Sequence, residues 1–163
     1  MSTSAESAVT VKSGVESRIL KEGYGPGAWH GADMKAAIAD VDAATAFWRP
    51  ADARHNIAEI ALHHAYCIRT VRAQLSGRPA EPFVLSGEDW FELNDERALS
   101  WEKVRATVDS EQKLLSALVA EIEGGKTVSA LASDERFNLV LGITCHAVYH
   151  AGQVQLIKRF RER

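Results

Sequence analysis

The sequence is short of the features that would take it out of the ordinary globular class. Two cysteines among 163 residues, Cys67 and Cys145, are too few for a disulfide framework. Both lie in apolar helical surroundings, which reads as reduced core cysteines in a cytoplasmic protein. No run approaches the ~18 apolar residues that span a bilayer, and MSTSAESAVTVKSGVESR has no apolar core of the signal-peptide kind. No segment alternates with the period of two that marks a strand. Prolines number only 4. Clustered positive charge is also scarce: the formal net charge is -3, and the one basic cluster, KRFRER (Lys158–Arg163), contains Glu162 and closes a helix, where cations suit the dipole. Nucleic acid is therefore not an expected partner.

What is present is a composition, 46% hydrophobic and 25% charged, that suits one soluble domain large enough to bury a core. The small, polar start, residues 1–14, reads as disordered, with a single domain from 15 to 163. Val15–Gly23 forms a short helix that stops at its glycine. YGPGAWHGAD follows as a loop, yet it carries Trp29 and His30, which a plain linker does not need. Four longer helices are expected: Asp33–Trp48, Asn56–Leu75, Asn94–Gly124 and Glu135–Arg161. Asn56 followed by Glu59 is a capping-box pattern for the second. In the long loop from Gly77 to Asn94, residues Phe83, Val84, Leu85, Trp90 and Phe91 should pin parts of the chain to the body. The fold class is all-α, a four-helix bundle with long connections, whose interior is a place for cofactor sites.

The histidines carry the chemistry. His146 and His150 in CHAVYHAGQ are four apart on a helix, so their rings lie one above the other and can converge on one divalent ion. Gln153, one turn on, is placed to orient a ligand. Two core histidines with satisfied hydrogen bonds would show the same pattern. No glutamate lies inside the pair, so the helix-borne general base of an HExxH site is missing. A metal needs a third ligand, and HNIAEIALHH offers His55, His63 and His64. His64 sits at the centre of the apolar stripe Ile57, Ile60, Ala61, Ile68, Val71, Leu75, and periodicity favours it as the interior histidine. His63 lies about 100° round, beside Glu59, Cys67 and Thr70. Cys67, four after His63, is either a thiolate ligand or a small buried side chain.

Three stretches together resemble the DinB/YfiT-like superfamily of four-helix bundles. YGPGAWHG (Tyr24–Gly31) is similar to that family's G-x-x-W-H-G loop, and HNIAEIALHH (His55–His64) to its H-S-I-W-E-L-V-L-H segment. CHAVYHAGQVQLIKR (Cys145–Arg159) is similar to its H-D-x-Y-H-x-G-Q-I-x-L-L-K-R terminus, matching at His146, Tyr149, His150, Gly152, Gln153, Lys158 and Arg159. The resemblance implies one divalent transition metal (Zn, Ni, Fe, Co or Mn) held by His63, His146 and His150. It makes His63 rather than His64 the third ligand, and His30, Tyr149 and Gln153 candidates for substrate or outer contacts. It also implies a homodimer and, as activity, metal-dependent S-transfer from a low-molecular-weight thiol such as bacillithiol or mycothiol to a small-molecule substrate. A hydrolase using water at the metal, with Glu59 as the nearby carboxylate, and a non-catalytic metal-binding stress-response dimer are the alternatives. The sequence departs from the family pattern at Ala58, often tryptophan there, and at Cys67, often aromatic.

Overall fold

The computed structural model describes residues 14–51 and 54–162. The expected disordered start, residues 1–14, lies outside them except for Gly14. Every regular element among the described residues is a helix: α1 (Val15–Gly23), α2 (Met34–Ala39), α3 (Ala43–Ala46), α4 (Ile57–Ser76), α5 (Trp101–Glu123) and α6 (Ser133–Arg161). α1 packs on α6 and α5, and α4 packs on α5 and α6, so these four close the bundle, with α2 laid against α6 and α3 against α4.

The expected helix Asp33–Trp48 is two short ones. Asp33 accepts hydrogen bonds from the N–H groups of Lys35 and Ala36, and Asp42 accepts one from Thr45. Each aspartate thus caps a new helix start, and a second cap in mid-segment ends the first helix. Between them Val41 is buried, and its carbonyl accepts the indole N–H of Trp101 at 2.7 Å. The fourth wall of the bundle is α1 instead. It approaches α6 closely because residue 23 is glycine: a Cβ there would stand 3.0 Å from the Cβ of Ala147.

α5 also starts later than the expected Asn94 cap. Asn94 accepts from Arg49 and donates to Glu92, which occupies its side chain, and Ser100 caps the helix by accepting from the N–H of Lys103. α4 forms as read. Asn56 and Glu59 exchange the two bonds of a capping box, and Gly77 at φ 66 closes the other end.

The core has two parts. One gathers α2, the first half of α4, the start of α5 and the second half of α6 around Ile57, Leu62, Val104 and Val154. The other joins α1 to the second half of α4, the end of α5 and the first half of α6 around Leu20, Ile68, Leu75, Leu115 and Val140. On α4 the boundary falls between Ala65 and Ile68, and on α6 between Ile143 and Ala147. The histidines of both helices stand beside that boundary. In the long loop before α5, Phe91 and Leu93 are buried, while Val84 is exposed and pins nothing.

Candidate metal centre

The start of α4 is held by a buried ionic network. Glu59, 2% exposed, receives two bonds from Arg49 at 2.6 and 3.0 Å, one from the N–H of Leu93 at 3.0 Å and one from His55 Nδ1 at 3.0 Å. Burial pushes its carboxyl up, but the bonds from Arg49, Leu93 and His55 outweigh that and hold it below the usual carboxylate range. One turn further on, α4 delivers His63 and His64 to α6.

Nε2 of His146 lies 3.1 Å from Nε2 of His63 and 3.0 Å from Nε2 of His150. The structure therefore brings together the three histidines of the family pattern. It brings His64 as well, whose Nδ1 is 3.0 Å from Nδ1 of His146. Both histidines of α4 meet the same α6 ring, from opposite sides of it. Sγ of Cys67 is 3.8 Å from His63 Nε2, and His63, Cys67 and His146 offer ligand atoms that all lie within 4.8 Å of one another.

The nitrogens facing away from this point also have partners. Nδ1 of His63 meets the carbonyl oxygen of Asp89 at 3.1 Å and its carboxylate at 3.0 Å. Nδ1 of His150 donates to Oε1 of Gln153 at 2.6 Å, and the amide of Gln153 donates to the Tyr149 hydroxyl at 3.1 Å. Asp89 reaches His63 with both oxygens from a left-handed backbone at φ 60, a conformation rare outside glycine and common where a loop serves a site. Trp90 stacks on His63 at 3.9 Å and 6°, with its other face on His55 at 3.6 Å and 10°. Asp89 and Trp90 were not legible as site residues. Trp90 reads in sequence as a packing anchor, and its indole covers one side of the histidine cluster instead.

Burial disfavours the charged form of three rings, His146, His150 and His64. Burial, and then the neighbouring histidines His150 and His63, pull His146 down to about 4. Burial likewise pulls His150 down to about 4, against the bond from Gln153 that raises it. His64, fully buried, lies well below its ordinary value for the same reason. Burial and the charge of Asp89 push the Cys67 thiol up to about 11.

Other expectations are placed differently. His30 is exposed and donates from Nε2 to the carbonyl of Glu22 at 2.6 Å, and it makes no hydrogen bond or ring contact with the cluster. Trp29 beside it is 95% exposed. Tyr149 is mostly exposed; its ring meets His150 edge to face at 5.2 Å, and its hydroxyl accepts from Gln153. Cys145 is not a core cysteine: α6 turns it to the surface, while Cys67 is half-buried.

The residues fit a borderline divalent cation. Imidazole nitrogens about 2.0–2.1 Å from one tetrahedral ion stand roughly 3.3 Å apart, and octahedral ligands a little closer; the cluster's separations are 3.0 and 3.1 Å. Burial keeps His146 and His150 uncharged near pH 7, as ligands must be. The Nδ1 partners Asp89 and Gln153 are acceptors that keep the proton off Nε2, the usual outer support of a metal-binding histidine. Among the described residues no helix is long and apolar enough to cross a membrane. No curated protein and no solved structure matches the chain. A model of the DinB superfamily matches residues 28–154, which span α2 to the last turns of α6 and include all four clustered histidines, and the chain belongs to the DinB superfamily.

Proposed function

We propose that the protein is a metal-dependent S-transferase that uses a low-molecular-weight thiol, with His63, His146 and His150 holding one divalent ion (Zn, Ni, Fe, Co or Mn). The observation that carries the reading is His146 Nε2 standing 3.1 Å from His63 Nε2 and 3.0 Å from His150 Nε2, with each ring's Nδ1 held by its own partner. A dication on three neutral imidazoles keeps its full charge and supplies the Lewis acidity that lowers the pKa of a thiol.

The remaining work falls to the chain. Asp89 and Gln153 orient His63 and His150, and Trp90 with His55 keeps water from one side of the cluster. On the far side of Gln153 opens a cavity of about 760 Å³ with Trp48, Ile60, Leu156 and Phe160 in its walls, which suits the apolar body of an electrophile. In the transfer the thiol gives its proton to solvent, its sulfur forms the new C–S bond, and the leaving group departs with the bonding pair. The hydrolytic alternative loses its candidate base, because both oxygens of Glu59 are engaged by Arg49, His55 and Leu93. The resemblance also implies a homodimer. The outer face of α6, where Leu141, Tyr149, Leu156 and Phe160 are exposed, is a surface that a second copy would cover. Sedimentation showing only monomer at micromolar concentration removes that part of the proposal.

Elemental analysis tests the site. The purified wild-type chain is expected to carry stoichiometric metal and the His63→Ala/His146→Ala/His150→Ala variant none; equal metal in both overturns the assignment. The metal-loaded protein is then expected to consume thiol in the presence of a chloro- or epoxide electrophile. Stoichiometric metal without turnover across a panel of thiols leaves a non-catalytic metal-binding protein.

A further inference from the structure

His64 is completely buried, and among the described residues its ring makes a single hydrogen bond, between its Nδ1 and Nδ1 of His146 at 3.0 Å. Among the described residues its other nitrogen, Nε2, has no partner, although it is as deeply buried. Two imidazole nitrogens facing each other share one proton, so one ring donates and the other accepts. His146 turns its Nε2 toward His63 and His150. To present a lone pair there, it must carry its proton on Nδ1, and His64 Nδ1 must then be the acceptor. The proton of His64 is thereby forced onto Nε2, where nothing receives it. The reverse arrangement would leave His64 Nε2 an unpartnered acceptor, and it puts the proton of His146 on the Nε2 that faces His63 and His150.

A buried donor without a partner is a net cost that an apolar side chain of the same size would not carry. Periodicity places residue 64 in the core, where leucine or isoleucine would serve packing. The histidine is explained by what it does to its neighbour.

We propose that His64 is a positioning residue for the metal, its Nδ1 accepting from His146 and so locking that ring in the tautomer that binds through Nε2. The inference rests on the proposed three-histidine site and adds a fourth histidine to it that is not a ligand. Asp89, His64 and Gln153 then form a complete outer set, one acceptor behind each ligand.

The test uses the full chain and zinc, titrated against a competing chromophoric chelator, for wild type, His64→Leu and His64→Asn. Leucine removes the acceptor, and a loss of affinity of about 10–100-fold is expected. Asparagine places its Oδ1 close to where Nδ1 was, and affinity should stay within about threefold of wild type. The metal-free His64→Leu chain is expected to unfold at no lower temperature than wild type, because the unpartnered donor has gone. His64→Met takes its place if the leucine variant does not fold. Wild-type affinity in the apolar variant, or an asparagine variant as weak as leucine, overturns the inference while leaving the metal site standing. A wild-type chain with no zinc affinity overturns the metal reading and this inference with it.

Discussion

α4 and α6 pack on each other along two stretches of opposite character. Beyond Ile68 the contact is apolar: Ile68 and Leu75 of α4 and Val140 of α6 are completely buried, in one cluster with Leu115 and Val119 of α5. One turn earlier, the same two helices place four imidazoles in contact, with nitrogens 3.0–3.1 Å apart and one buried nitrogen unpartnered. The backbone geometry is common to both stretches, so the difference lies in the side chains alone. The first stretch is built for stability. The second gives up packing for donor atoms, which is how a chain keeps a place for a ligand.

The comparison breaks most sharply in the apolar half. Leu75 has no exposed surface, and Leu75→Ala should cost roughly 3–5 kcal/mol through lost burial and the cavity left behind. Urea unfolding measures it. Metal content per folded molecule should not change, because Leu75 lies outside the histidine half; a loss of metal on this substitution would show that the two halves are not separable.

The apolar half was legible from periodicity, and so were the Asn56–Glu59 cap and the position of α6. The break at Asp40–Asp42 was not, because the apolar period runs through it; the Asp42 cap makes the break and Trp101, sixty residues away, takes the carbonyl of Val41 within it. At the site, the HxxxH pair was visible as a geometry and ambiguous as chemistry until the family pattern was set beside it. Periodicity and resemblance disagreed over His64 and His63, and the structure has room for both: His63 meets His146 at Nε2 and His64 meets it at Nδ1. Asp89 and Trp90 had no signal to find. They sit in a loop without period, and their place depends on a left-handed residue that no local rule demands of an aspartate.

Between the two halves in expected effect stands the Arg49–Glu59 pair at the head of α4. Arg49→Ala leaves a buried carboxylate with fewer donors and should cost roughly 2–3 kcal/mol, short of the ~3–5 of a fully buried pair, because the Arg49 side chain keeps 26% of its exposure. The pH dependence follows from the sign of the shift. In the wild type Glu59 lies below the usual carboxylate range, so its stabilisation is complete above the ordinary value and is lost as pH falls through the depressed one. Without Arg49, burial dominates and pushes the carboxyl up, so the variant binds its proton more readily folded than unfolded. Its deficit should be greatest near neutrality and shrink on acidification. A deficit that stays constant from pH 7 to pH 4 would mean that the pair acts by packing alone.

The smallest effect is the one that decides what kind of site the histidine half is. Cys67 lies 3.8 Å from His63 Nε2, within reach of the cluster, and a thiolate there would add a fourth protein ligand to three imidazoles. Four protein ligands close a zinc-type shell and make it structural, whereas three leave a position for substrate. The histidines by themselves supply a three-nitrogen set, with His146 Nε2 3.0 and 3.1 Å from its neighbours, while the sulfur at 3.8 Å from His63 Nε2 is within reach of the longer metal–sulfur bond. Burial and the charge of Asp89 push the thiol up to about 11, so ligation would have to displace a tightly held proton. Cys67→Ala should therefore keep stoichiometric metal, with affinity within about threefold of wild type and stability lowered by no more than ~1 kcal/mol for the small side chain removed. Chelator competition and thermal unfolding read both quantities. A fall in affinity matching that of a single histidine substitution would make Cys67 a ligand, close the shell and turn the proposed open site into one that holds the bundle together.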